Sequence, residues 1–291
     1  MGITLIGAVV LRIMANPFSN LIQKNLALSK QHPLFINFLS YLVLAAFSLV
    51  ILFRNTLTGL DAEFWIYSVL GGIAGAFGNA FIVKALEAGE LSVLGPVNAY
   101  KSVVGALLAF ILIGELPNAW GFLGIALIIF GSYFVLSTGP GKFSWSILKQ
   151  PAIRFRLAAL VLTGIQAVFD KKIIQHSNLE LAFVSWSVFG AFFSFLICLV
   201  YKVNIGNCFH SIDPAIATRY LFLCLSIALM TASTNYVFKH MPVGEALALF
   251  QISIIISVFL GYQVFNEGGL VKKLIGSCIM ITGSLFILLM K

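Results

Sequence analysis

Apolar residues fill this chain in about ten runs of roughly twenty, parted by short polar turns, and the runs hold few charges. At roughly 1.5 Å per residue, a helical run of about 20 crosses the ~30 Å hydrocarbon core of a bilayer. The pattern predicts helices near 3–23, 33–53, 64–86, 91–115, 120–136, 155–174, 181–201, 220–239, 243–265 and 270–290, with little room for strands. The predicted class is all-α and integral to the membrane, with about ten transmembrane helices. The longest mid-chain polar break, residues 138–156, is punctuated by Gly139, Pro140, Gly141 and Pro151. It divides a first five-helix unit, 1–138, from a second, 155–291, with 139–154 as an interfacial linker.

Polar residues inside the runs fall on faces. Arg12, Asn16, Ser19 and Gln23 recur at i, i+4, i+7 and i+11, one stripe along the first helix, and Pro17 interrupts its hydrogen bonding. Such a stripe reads as a cavity wall or as a polar helix contact. In the fourth run, Asn98 and Lys101 share a face, and Lys101 lies ten residues from Leu91, about 15 Å along a helix. An ammonium at that depth costs at least ~2.5–3.5 kcal/mol unless something meets it. In the sixth run, Thr163, Gln166 and Asp170 share a face. Asn79, Tyr100, Trp186, Asn235 and Gln251 add further polar or aromatic groups at membrane depth. The candidate solute-contacting set is therefore Arg12, Asn16, Asn79, Asn98, Tyr100, Lys101, Gln166, Asp170, Trp186, Asn235 and Gln251. Internal neutralisation of Arg12 and Lys101 by Asp170 or Glu245 is an equally open reading. Were Asp170 so paired, it would be a candidate for proton coupling.

The halves match at an offset of 152 without a gap: Glu115 with Glu267, Gly124 with Gly276, Gly131 with Gly283, Ser132 with Ser284 and Phe134 with Phe286. The mates of Arg12 and Lys101 are Gly164 and Ser253, both neutral. Five crossings per unit place the second copy upside down, an architecture used for alternating access with the site at the repeat interface. The stretch VKALEAGELSVLGPVNAYKSVVGALLAFILIGELPNAWGFLGIALIIFGSYFVL and its echo VFKHMPVGEALALFQISIIISVFLGYQVFNEGGLVKKLIGSCIMITGSLFILL resemble EamA-type members of the drug/metabolite transporter superfamily. That resemblance implies ten helices, a central cavity and movement of small metabolites, and it places both termini in the cytoplasm. The Gly114-Glu115 pair before the last helix of a unit carries part of it; the second copy has Asn266-Glu267 instead. Both glutamates read as structural, capping the next helix.

Composition agrees with this picture. The chain is 60% hydrophobic and 10% charged, against ~25% charged in a soluble domain. The net charge of +8 lies mostly in short loops, which suits topology and anionic headgroups rather than nucleic acid. Loop counting alone places both termini outside, opposite to the resemblance; an even number of spans places them on one side. The start of the chain lacks a basic leader and does not read as a signal peptide. Four cysteines without metal spacing read as reduced packing residues, and four histidines in or beside loops read as solvated. No motif for a cofactor, metal or enzyme reaction is present. The expectation is a multi-pass transporter of a small organic solute, with an anionic group, by alternating access, in a bacterial inner membrane. An amino-acid or lipid-linked phosphate carrier and a non-transporting scaffold subunit are the alternatives.

Overall fold

In the computed structural model of the protein, residues 2–52, 59–104, 118–136 and 149–289 are described. Helices α1 (Ile3–Leu28), α2 (Pro33–Leu52), α3 (Ala62–Ala88) and α4 (Leu91–Val97) are followed by helical residues 100–104 and then α5 (Ala119–Leu136). The second half runs through α6 (Pro151–Gln175), α7 (Leu179–Val200), the short α8 (Ile205–His210), α9 (Pro214–His240), α10 (Val243–Phe250), α11 (Ser253–Phe265) and α12 (Leu270–Leu289). Nine segments among the described residues, α10 and α11 together forming one, are long and apolar enough to cross a membrane. The far half of the fourth run, with Gly114 and Glu115, and residues 137–148 lie outside the described residues.

Two spans start earlier than the hydrophobic pattern suggests. Helix α6 begins at Pro151 and α9 at Pro214, each with proline in the first turn, where its missing N–H costs nothing. The Asp213 side chain caps α9 through the Ile216 N–H, Asp61 caps α3 through Phe64, and Asn178 caps α7 through Leu181. Large apolar side chains such as Phe47, Val50, Phe192, Leu221 and Phe222 point outward, as helices in hydrocarbon require.

The fold obeys a two-fold relation. Helix α3 packs on α6 and α1 on α9, and the offset of 152 exchanges these two pairs; α2 packs on α7 and α5 on α12, each pair being its own counterpart. The α5–α12 contact shows the symmetry at atomic scale. A Cβ on Gly124 would sit 2.5 Å from the Gly283 carbonyl oxygen, and one on Gly283 2.6 Å from that of Gly124. Gly131 and Gly276 repeat the arrangement at 2.7 and 2.6 Å. Only hydrogen at these four positions lets the two backbones touch. The protein is thus an all-α integral membrane protein of two inverted five-helix repeats.

The fourth and ninth runs are not continuous helices. Both break after seven or eight helical residues. Asn98 and Ala99 donate to Gly95 and Pro96, and Gln251 and Ile252 donate to Ala248 and Leu249, one tight turn of i→i+3 bonds in each case. Backbone angles agree, φ −61° and ψ −23° at Asn98 and φ −63° and ψ −22° at Gln251. Pro96 helps to explain the first break; the second contains no proline. Broken helices at membrane depth occur where they border protein or a cavity.

Candidate functional site: a polar cavity between the repeats

The breaks and the polar stripes converge on a cavity of about 140 Å³. That volume holds on the order of ten waters or one small organic solute. Helix α1 contributes Arg12, Asn16, Ser19, Asn20 and Gln23 to its wall; α2 contributes Asn37, Ser40 and Tyr41; and α3 contributes Asn79. From the first break come Asn98 and Lys101, from α6 Arg156, Thr163, Gln166 and Asp170, and from α7 Trp186. Helix α9 supplies Thr231, Thr234, Asn235 and Phe238, and α10 Phe250.

Of the eleven residues expected from sequence, Arg12, Asn16, Asn79, Asn98, Lys101, Gln166, Asp170, Trp186 and Asn235 line this cavity. Tyr100 and Gln251 do not. The Tyr100 hydroxyl donates to Ser132 Oγ at 2.8 Å, tying the fourth span to α5, and Gln251 is buried within the second break. Polarity at membrane depth suits a cavity wall and a helix contact equally, and no shared face distinguished these two residues. Arg156, Tyr41 and Asn37 are wall residues that sequence reasoning passed over. Arg156 sits seven residues before Thr163 and extends the stripe of Gln166 and Asp170, a signal hidden while it was assigned to the polar break.

Each cation has neutral company. Arg12 Nε donates to Thr234 Oγ1 at 2.7 Å, its guanidinium lies 4.8 Å from the Phe250 ring centre, and Nη1 is buried without a partner. Arg156 Nε donates at 2.9 Å to the Leu94 carbonyl. That carbonyl loses its helical partner because Asn98 N–H turns to Gly95, so Arg156 also caps the break. The stem of Lys101 passes over Gly164, with Cγ 3.7 Å from where a Cβ would stand. Gly164 is the repeat mate of Arg12; a large residue there would occupy the space of Lys101. Around the other break, Asn16 Nδ2 approaches Ser253 Oγ, the mate of Lys101, at 3.5 Å.

Neither expected neutraliser forms an ion pair with Arg12 or Lys101 among the described residues. Asp170 accepts from Gln166 Nε2 at 3.2 Å and stands within electrostatic reach of Lys101 without touching it. Glu245 is exposed in the first turn of α10, away from the cavity. Tyr41 and Trp186 give the cavity an aromatic wall. The Tyr41 hydroxyl accepts from Asn79 Nδ2 at 2.5 Å, and its ring centre is 4.8 Å from that of Trp186.

Ionic contacts join the repeats at the membrane faces. On one face, Lys24 Nζ lies 2.6 Å from Glu267 Oε1 and donates at 2.9 Å to the Gly89 carbonyl. Glu267 in turn accepts from Leu91 N at 2.8 Å and Ser92 N at 2.7 Å, and Lys273 meets both Glu90 and Ser92. Glu267 therefore caps α4 of the opposite repeat rather than the helix that follows it in sequence. Asn266, which replaces the expected glycine, holds φ +53° and ψ +34°. Left-handed backbone suits glycine, and asparagine is among the few other residues that visit it. On the opposite face, His176 contacts Asp61 at 2.6 Å and Glu63 at 3.2 Å, so it is an inter-repeat contact and not simply solvated. The four cysteines are all free thiols, two of them buried.

An inverted-repeat membrane fold with a polar cavity at the repeat interface is an architecture of membrane transporters. The sequence model of the EamA-like transporter family matches residues 17–137 and 150–289, one match per repeat, and the chain belongs to that family. A comparison with curated proteins finds no match. Among solved structures, one described only as the crystal structure of a protein covers 98% of this chain and 99% of its own at 17% identity, with a TM-score of 0.60. At that identity the likeness concerns the fold.

Proposed function

We propose that the protein moves a small organic solute bearing an anionic group, by alternating access of the cavity between the repeats. The observation that carries the reading is the cavity wall, where Arg12, Lys101 and Arg156 face a single carboxylate, Asp170. Buried charges are normally paired, and no carboxylate forms an ion pair with these three among the described residues, so an anionic ligand supplies the missing partner. The broken helices and the repeat inversion support alternation, since each repeat can adopt the conformation of the other.

Counterflow in proteoliposomes tests this reading. Purified protein loaded with a panel of carboxylates, phosphates, amino acids and cations should accumulate labelled anion. Arg12→Ala and Lys101→Ala should each lower that flux at least tenfold while the proteins keep their thermal transition. Undiminished anion flux in both variants would remove these residues from the site.

A further inference from the structure

We infer that the solute is a dianion: two carboxylates, or one phosphate monoester, on a small carbon frame. The inference rests on the transport reading above and concerns the charge of the cargo in that same cavity. Three cations and one carboxylate leave two positive charges on the wall unmatched among the described residues. Among the described residues, Glu90, Glu267 and Glu245 do not supply the difference. Glu90 and Glu267 are engaged by Lys273 and Lys24 at the membrane face, and Glu245 is exposed. The contacts that Arg12 and Arg156 do make, to a hydroxyl, an aromatic ring and a carbonyl, are neutral and orient the groups without cancelling charge.

An unmatched cation at membrane depth is strongly disfavoured. A monoanion leaves one cation bare, and a zwitterion leaves two. A dianion closes the account and fits a cavity of about 140 Å³. The repeat makes the charge pattern informative. The mates of Arg12, Lys101, Arg156 and Asp170 at the offset of 152 are Gly164, Ser253, Thr4 and Phe18, all uncharged. None of the four charges is a by-product of duplication. The cations also come from three separate segments, α1, the residues after the first break, and α6, which suits two anionic groups held at different points.

The test is counterflow in proteoliposomes with lactate, malate, glycerol 3-phosphate, alanine and choline as separate probes, for wild type, Lys101→Met and Arg12→Gln. Wild type is expected to exchange malate or glycerol 3-phosphate at least tenfold faster than lactate. Lys101→Met should cut the dianion flux at least tenfold and narrow its ratio to lactate; Arg12→Gln serves the same purpose if the first variant fails to fold. Lactate moved as fast as both dianions, or a folded variant with an unchanged preference, would overturn the charge assignment and leave the anion reading standing. Flux confined to alanine or choline, or no flux of any probe by folded wild type, would overturn both.

Discussion

Lys24 and Glu267 form a buried ion pair between repeats, with side chains 8% and 5% exposed. Removing one partner of such a pair typically costs about 3–5 kcal/mol, because the other charge is left buried and unpaired. Lys24→Met should therefore lower the thermal unfolding temperature in detergent markedly, and Lys24→Met with Glu267→Gln should recover part of the loss. Equal stability of wild type and Lys24→Met would contradict this. Burial alone raises the carboxyl of Glu267, but the hydrogen bonds from Lys24 and Ser92 outweigh it and hold the group below its ordinary 4.5. A depressed carboxylate contributes in full above its unfolded value and loses that contribution as pH falls through the lower native value. The unfolding temperature should thus drop on acidification below about 4.5, and less so in Glu267→Gln. Gly190 is a second sensitive position, since the Tyr41 ring occupies the place of its missing side chain. Gly190→Ala should cost about 1–3 kcal/mol by pushing Tyr41 off Trp186, measurable by the same melt.

At the scale of elements, the two helix breaks separate causes that the sequence runs together. Pro96 marks the first, but the second forms without proline, and Arg156 satisfies the carbonyl that the first break frees. Pro96→Ala should leave counterflow within a few-fold of wild type, whereas Arg156→Met should reduce it at least tenfold. The opposite ranking would make proline, not the arginine cap, the cause of the break. The α5–α12 pair offers a contrast of the same kind. Gly131→Leu would force the touching backbones apart and should abolish a cooperative melt, while Gly7→Leu enters open space and should be silent. These elements also show what the sequence could reveal. Span positions were legible because bilayer thickness fixes run length, and the α1 stripe was legible because one continuous helix preserves its phase. The breaks were not, since apolar runs look the same whether or not the hydrogen bonds tighten for a turn. Tyr100 and Gln251 were named for polarity at membrane depth alone, which does not separate a cavity wall from a helix contact, and Arg156 was passed over because it lies where the polar break 138–156 and the sixth run overlap. Tyr41 and Asn37 did carry a signal, since Asn37, Tyr41 and Ser48 recur at i, i+4 and i+11 with Ser40 beside them, a stripe easily passed over in a run otherwise apolar.

For the whole molecule, the repeat offset read from a handful of residues predicted the inversion, and the reciprocal glycine contacts of α5 and α12 display it. Lys24–Glu267 on one face and His176–Asp61 on the other tie opposite repeats together at both ends of the cavity. An even number of spans should place reporter fusions at both termini on the same side of the membrane. Alternating access requires that one cavity be reached in turn from both faces. It is tested most directly by Thr231→Cys in a protein whose Cys198, Cys208, Cys224 and Cys278 have been replaced, labelled with a membrane-impermeant thiol reagent in right-side-out and inverted vesicles. Alternating access predicts labelling from both sides, slowed by a transported anion. Labelling from one side alone, whatever the solute, would contradict it.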